Sequence, residues 1–375
     1  MVTRRANGEG SVYKRSDGRW CATVSLDDGR RKSFYGKTRQ ETGRKLATAV
    51  KARHDGLPIP AEKQTVAQFL SEWLQSTRPA LRYRTWQRYE ELVRLHALPT
   101  VGRLSLARLE PGHLQRLYGE RLSAGQSPAS VQRLHAVLHR ALRDAQRWGL
   151  VARNVAALVE RPRASRREMM ALDPEQARSL MNAAAGERLE ALYVLALTTS
   201  MRQGELLALR WPDVDLDRGA LQVRGSLQRL PDGLTIVEPK TANSRRQVAL
   251  TRAAVEVLRR HRVEQNEERL KLGGAWEDNG LVFANEVGRP IEVRNLMRRS
   301  FLPLLKGSSL PVIRFHDLRH TAATLLLGEG VHPKVVAEML GHSRISTTLD
   351  LYSHVTPTMQ RQAAEALDAV LTVMR

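Results

Sequence analysis

In the C-terminal half of this 375-residue chain, six side chains together could attack a phosphodiester. Near the end, the run Leu-Gly-His-Ser-Arg-Ile-Ser-Thr-Thr-Leu-Asp-Leu-Tyr sets His342 and Tyr352 ten residues apart. Upstream lie His316-Asp317-Leu318-Arg319-His320, then Lys240 in Glu-Pro-Lys-Thr-Ala-Asn-Ser-Arg-Arg and Arg202 in Thr-Ser-Met-Arg-Gln-Gly-Glu. A phosphoryl transition state spreads negative charge over its non-bridging oxygens. Guanidinium forks match those oxygens and stay charged at neutral pH. Arg202 and Arg319 therefore form the expected clamp. A tyrosine hydroxyl with its ordinary pKa of about 10 is a weak nucleophile, and a cationic, partly dry pocket favours its phenolate.

Taken singly, each motif has a plainer explanation. Arg202 to Glu205 reads as an ion pair on a helix surface, and His316 to Arg319 as two polar groups on one helix face. Lys240 reads as a solvated turn lysine, His342 as a residue at a helix end, and Tyr352 as a core tyrosine with a bonded hydroxyl. Their joint occurrence in one order favours chemistry. His320, His332 and His354 stand outside that set, with His320 assigned to packing or support on the helix of His316.

The order Arg, Lys, His-x-x-Arg, His, Tyr resembles the tyrosine recombinase (phage integrase) family, over essentially the whole chain. The resemblance implies that Tyr352 attacks the scissile phosphate to give a 3′-phosphotyrosine and a free 5′-hydroxyl, while Arg202 and Arg319 hold the phosphate. It makes Lys240 the donor of a proton to the leaving oxygen, His316 the general acid/base near the tyrosine, and His342 a hydrogen-bond donor to the phosphate. Glu205 matches the supporting acidic position beside the first arginine. One position departs from the pattern: the residue two before the first arginine is usually glycine and here is Ser200, which is costly if the turn needs positive φ.

The elements that position these residues can be read locally. Asp173-Pro174-Glu175-Gln176 combines an N-cap, a proline at the first helical position and a capping-box glutamine, so a helix starts there. The basic stretch 161–167 before it lacks an apolar period and reads as a linker along DNA. From about residue 220 to 250, alternation around Pro231-Asp232-Gly233 predicts β-hairpin structure, with Lys240 in a following turn. Pro333 opens a helix that Gly341 ends, and Thr347 to Asp350 reads as a new cap ahead of Tyr352. Beyond Pro357, Met359, Ala363, Leu367, Val370 and Met374 have near-helical spacing. That tail either closes its own domain or, as the resemblance implies, packs into a neighbouring protomer.

The first 55 or so residues form a separate module. Three short β-type runs, 11–14, 19–26 and 31–35, are divided by Asp17-Gly18 and Asp27-Asp28-Gly29, and Thr38-Arg39-Gln40-Glu41 opens a helix. On the middle strand, Trp20, Ala22, Val24 and Leu26 should face the helix, leaving Arg19, Cys21, Thr23 and Ser25 exposed, ringed by Arg15, Arg30, Arg31 and Lys32. Such a sheet can lie in a major groove. It is similar to the arm-type DNA-binding domains of many integrases, although a small solvated β-domain with incidental charge would look alike.

From about residue 65 to 159 the pattern is helical. Val131, Leu134, Leu138, Leu142 and Ala145 make one apolar stripe, with Arg133, Arg140, Arg143 and Arg147 largely off it. This resembles the family's core-binding domain, with Arg140, Arg143 and Arg147 as candidate phosphate contacts.

Sixty Lys and Arg against 39 Asp and Glu leave a formal charge of +21, and a polyanion is the first partner to expect. The single Cys21 excludes an intrachain disulfide framework and offers no metal cluster. There is no signal peptide pattern and no apolar run of about 18 residues, which predicts a cytoplasmic protein without a membrane partner. The expected fold is multidomain α+β: residues 1–60 as the arm-type sheet and helix, 64–160 as a helical core-binding domain, and 171–375 as a mainly α catalytic domain with a small sheet. The expected function is site-specific integration or excision of a phage or other mobile element. The partners are double-stranded DNA attachment sites and three further copies in a homotetramer, with a DNA-bending protein and a directionality factor as accessory factors. No cofactor and no catalytic metal are expected. Two other functions fit the same residues: a topoisomerase-like enzyme that nicks and reseals, and a DNA-binding regulator on a catalytically silent scaffold.

Overall fold

The computed structural model describes residues 10–25, 31–54, 64–164, 169–238, 245–342 and 345–351, with residues 364, 365, 367, 368 and 371 of the tail. The chain divides into two compact units, residues 1–166 and 167–375. Lys240, Tyr352, Leu26, Arg30 and most of the tail stripe lie outside the described residues. No helix among the described residues is long and apolar enough to cross a membrane.

The first unit has two separate hydrophobic cores. Strands β1 (Ser11–Lys14), β2 (Trp20–Ser25) and β3 (Arg31–Gly36) form an antiparallel sheet in sequence order. Helix α1 (Arg39–His54) follows, with the Thr38 hydroxyl accepting from the Glu41 N–H at 3.1 Å. Alternation along the strands sends Ala22, Val24 and Phe34 against Leu46 and Ala49 of the helix. Cys21 departs from expectation. It lies on the face away from the helix yet is only 1% exposed, because the register sets it directly between Tyr13 and Tyr35, whose rings flank the small thiol.

The second core of this unit is helical: α2 (Val66–Thr77), α3 (Tyr83–Leu92), α4 (Leu98–Val101), α5 (Pro111–Ser123) and α6 (Pro128–Arg147). The stripe Val131, Leu134, Leu138, Leu142 and Ala145 of α6 is buried, as its spacing predicts. Removing each such leucine from water contributes about 2 kcal/mol. Trp73 at the centre donates its indole N–H to Asp144 at 2.9 Å and stacks on Tyr89.

The second unit begins with α7 (Pro174–Ala184), capped as expected by Asp173 with Gln176. Helix α8 (Glu190–Thr199) is apolar all round, so it runs through the middle of the core. Then come α9 (Gln203–Leu206), β4 (Val214–Asp215), β5 (Ala220–Val223), β6 (Ser226–Leu230), β7 (Gly233–Val237) and β8 (Arg246–Ala249). Strands β6 and β7 make the expected hairpin around Pro231-Asp232, while β8 pairs with β5 in a separate three-stranded sheet. Helix α10 (Arg252–Leu272) packs on α8. Helix α11 (Val293–Leu296) passes through a π turn at Met297–Phe301 into α12 (Leu302–Gly307). Last come α13 (Phe315–Gly328), α14 (Pro333–Leu340) and α15 (Ile345–Leu351). Helix α14 runs from Pro333 to Gly341 as its punctuation predicts. Helix α15 already starts at Ile345, so Thr347 is helix interior and not the expected cap.

Candidate active site

The site is organised around the C-terminal end of α14, where five successive backbone carbonyls need donors. Gly341, at φ +62°, turns the chain so that the His342 N–H bonds the Ala337 carbonyl at 3.0 Å and the Gly341 N–H bonds that of Glu338 at 2.9 Å. The next three carbonyls go to three arginines from three different elements. Arg246 Nε donates to Met339 at 2.8 Å, Arg319 Nη2 to Leu340 at 2.5 Å, and Arg202 Nη2 to Gly341 at 3.4 Å. Cations at the negative end of a helix are also favoured by its dipole.

Arg202 caps the short helix α9. Glu205, three residues on, accepts from the Arg202 backbone N–H at 3.0 Å and from its Nη1 at 2.7 Å. The same carboxylate accepts from Arg246 Nη2 at 2.9 Å. Burial pushes the Glu205 carboxyl up, but Arg246 and Arg202 outweigh it and hold the group below the usual carboxylate range. The sequence singled out Arg202 and Glu205 but not Arg246. A signal was present: Arg246 shares strand parity with buried Val248, so β8 had to turn it inward.

Arg319, buried within α13, reaches back to the end of α8, where its Nη1 donates to the Ser200 carbonyl at 2.6 Å. Ser200 is the C-cap of that helix with φ 53° and ψ 24°, so the turn does need the left-handed conformation that glycine adopts freely. Its buried hydroxyl has no partner among the described residues. Ser200→Gly should therefore relieve left-handed strain and an unsatisfied group, offset in part by the extra chain entropy of glycine, for a net gain of about 1 kcal/mol. Urea denaturation checks it; a lower midpoint would show that the hydroxyl helps to hold the turn.

Three imidazoles adjoin the arginines. His316 and His320, one helical turn apart on α13, meet edge to face with ring centroids 4.9 Å apart. His342 bonds through Nδ1 to Thr348 Oγ1 at 2.9 Å, which ties the loop after α14 to α15. Burial, then the charges of Arg319 and Arg202, push His342 down to about 4. Burial, then His316, brings His320 to about 4, while burial and Arg319 also lower His316. All three are neutral near pH 7, so they can hold or move a proton without adding charge.

Of the expected set, the structure thus gathers Arg202, Glu205, His316, Arg319 and His342. Lys240 falls between β7 and β8 and Tyr352 directly follows α15, both outside the described residues. On the N-terminal sheet, Thr23 bonds Ser11 across the open face at 2.8 Å, and the register places Arg31 on that face. Arg15 and Arg19 are exposed, whereas Lys32 pairs with Val24 on the helix side. Of the α6 arginines, Arg143 and Arg147 are exposed, while Arg140 lies over the Tyr89 ring and donates to its hydroxyl at 3.3 Å.

Comparison with known proteins supplies relatives for both units. The phage integrase family matches residues 170–359, and the N-terminal SAM-like domain of phage integrases matches residues 65–121. An integrase of Streptomyces ambofaciens is 33% identical over 385 residues, covering 97% of each chain. A tyrosine recombinase XerC-like protein of Caldanaerobacter subterraneus subsp. tengcongensis is 31% identical over 362 residues, 90% of this chain and 91% of the relative. Among solved structures, the Tn1549 transposon integrase in complex with a circular intermediate DNA superposes with a TM-score of 0.69 at 22% identity, covering 81% of this chain and 99% of that one.

Proposed function

The chain belongs to the phage integrase family and is a DNA-cleaving and rejoining enzyme of the tyrosine recombinase class, and from that premise we propose that Tyr352 is its nucleophile in the integration and excision of a mobile element. The observation that carries this is the convergence of Arg202, Arg319, His316 and His342 at the end of α14, on the chain segment that leads through α15 to Tyr352.

The two guanidiniums face the non-bridging oxygens of the scissile phosphate and offset the charge that grows there. Neutral His316 takes the tyrosine proton as the phenolate attacks phosphorus. The bond to the 5′-oxygen breaks, Lys240 gives that oxygen a proton, and a 3′-phosphotyrosine with a free 5′-hydroxyl results. If Thr348 donates its hydroxyl to His342 Nδ1, the proton of the neutral ring sits on Nε2, where it can be donated to a phosphate oxygen. Glu205 keeps Arg202 in place. The reverse attack, by a 5′-hydroxyl of another strand, completes exchange without an external energy source, since the covalent link conserves the phosphodiester energy.

Residues 1–60 would serve as an arm-type DNA-binding domain, with Arg15, Arg19, Thr23, Arg30, Arg31 and Lys32 as its candidate DNA contacts. Residues 64–160 would close over core DNA with Arg140, Arg143 and Arg147 toward phosphates, and residues 171–375 would cleave. Each chain carries one candidate tyrosine, and recombining two duplex sites requires four strands to be cut, so the working assembly is a homotetramer. A tail beyond Pro357 that packs on a neighbouring copy would couple its active sites.

The test is a nicked suicide duplex bearing the candidate attachment site, incubated with the full chain and resolved on a denaturing gel. A protein–DNA adduct whose digestion maps to the peptide holding Tyr352 is the expected result. Tight binding with no adduct on any site would move the protein to the silent regulator, and relaxation of supercoils without strand exchange to the topoisomerase-like enzyme.

A further inference from the structure

Arg246 has no place in the chemistry above, yet its side chain is 8% exposed and its contacts touch both arginine motifs. Through Nη2 it holds Glu205, which in turn grips Arg202; through Nε it holds the Met339 carbonyl, next to the carbonyl that Arg319 holds. Its Nη1 is buried with no hydrogen-bond partner among the described residues and lies where a side chain on Gly341 would be, 3.1 Å from an added Cβ. Gly341 is thus fixed for two reasons, its positive φ and the guanidinium packed against its Cα.

Stability alone explains this arginine poorly. A buried ion pair gains little over well-packed apolar residues, and an unsatisfied buried N–H is itself a cost. A planar, permanently charged group with donors at fixed angles is, however, suited to hold two acceptors in a set relation. Here the acceptors belong to α9, which carries Arg202, and to α14, whose end leads to His342.

We propose that Arg246 is a positioning residue of the active centre, fixing α9 and the end of α14 relative to each other so that Arg202, Arg319 and His342 meet one phosphate. It does not touch the phosphate itself. A shift of about 1 Å in such a group can cost on the order of 100-fold in rate. The inference rests on the proposed function for its kinetic consequence but not for its structural one.

The experiment compares wild type, Arg246→Lys and Arg246→Met as full chains, by single-turnover adduct formation on the nicked duplex, DNA affinity, and NMR titration of the His342 ring. Lysine keeps the charge but cannot bond Glu205 and the Met339 carbonyl together. Expected for Arg246→Lys are unchanged thermal unfolding and DNA affinity within about 3-fold, with adduct formation slowed by roughly 100-fold. Introduced into Glu205→Gln, it should slow the reaction much less, because the two residues act as one unit. In Arg246→Met the His342 titration should move upward, since one of the charges that depress it is gone. Cleavage by Arg246→Lys at the wild-type rate, losses that multiply independently with Glu205→Gln, or unmoved His342 ring resonances in Arg246→Lys would each overturn the inference. If the wild type forms no adduct, the proposed function fails, and the His342 ring resonances in Arg246→Lys, which should shift although the charge is kept because the end of α14 is no longer fixed, still decide the role of Arg246.

Discussion

Arg319→Ala should cost about 3 kcal/mol of stability and slow phosphotyrosine formation by at least about 100-fold. The structural loss follows from its two acceptors, the carbonyls of Ser200 and Leu340, which lie in the core at the ends of α8 and α14. Without the guanidinium each loses a donor, at roughly 1 to 3 kcal/mol apiece, and a cavity opens between the helices. The kinetic loss follows from the proposed place of Arg319 on the phosphate, where removing one donor typically costs about 100 to 1000-fold. Arg319→Lys should recover little of either, because an ammonium cannot serve both carbonyls and an oxyanion with fixed angles. Denaturant midpoints and single-turnover rates at saturating protein separate the two effects. A variant that unfolds like the wild type would disprove the bridging role, and a stable variant that cleaves at the normal rate would remove Arg319 from the clamp.

The second large effect is the response of the catalytic unit to acid. His320 and His342 titrate near 6.5 in an unfolded chain but only near 4 in the folded one. Between those values the unfolded state binds more protons, so stability is fully present above about pH 6.5 and is lost as pH falls toward 4. The two groups together should account for on the order of 4 kcal/mol over that window. Glu205 and Asp317 extend the slope at its lower end. Burial raises both, but Arg246 with Arg202, and Arg314, hold them below their ordinary values, so their contribution is present above those values and lost as pH drops through the folded ones. Denaturation at pH 7 and pH 4.5 measures the slope, and His320→Gln should flatten it. A midpoint independent of pH in this range would mean that the imidazoles are solvated and not buried neutral.

How far the sequence disclosed these arrangements depended on the range of the interaction. Helix punctuation was legible because its causes are local: Asp173 and Gln176 lie three residues apart, and Gly341 directly follows its helix. The α6 stripe was legible from its period alone. Cys21 was misplaced because alternation gives a face but not what covers it, and the cover came from Tyr13 and Tyr35 on other strands. The start of α15 was missed because serine and threonine suit a cap and a helix interior alike. The candidate residues were recognised by type and order, while the role of Ser200 and Arg246 required knowing which carbonyls meet at the end of α14. Those contacts join positions up to 139 residues apart, and no periodicity reports them.

The guanidiniums at the end of α14 also bear on how such an enzyme could decay. A copy of this gene released from selection for recombination would remain under selection to fold whenever the protein kept some other use. Arg319 would then persist, because it holds the carbonyls at the ends of two core helices, and Arg202 would be partly sheltered by its bonds to Glu205 and Gly341. In a comparison of many descendants, intact arginines would therefore say little about activity, and the first marks of a lost trade would fall on groups that serve the chemistry alone.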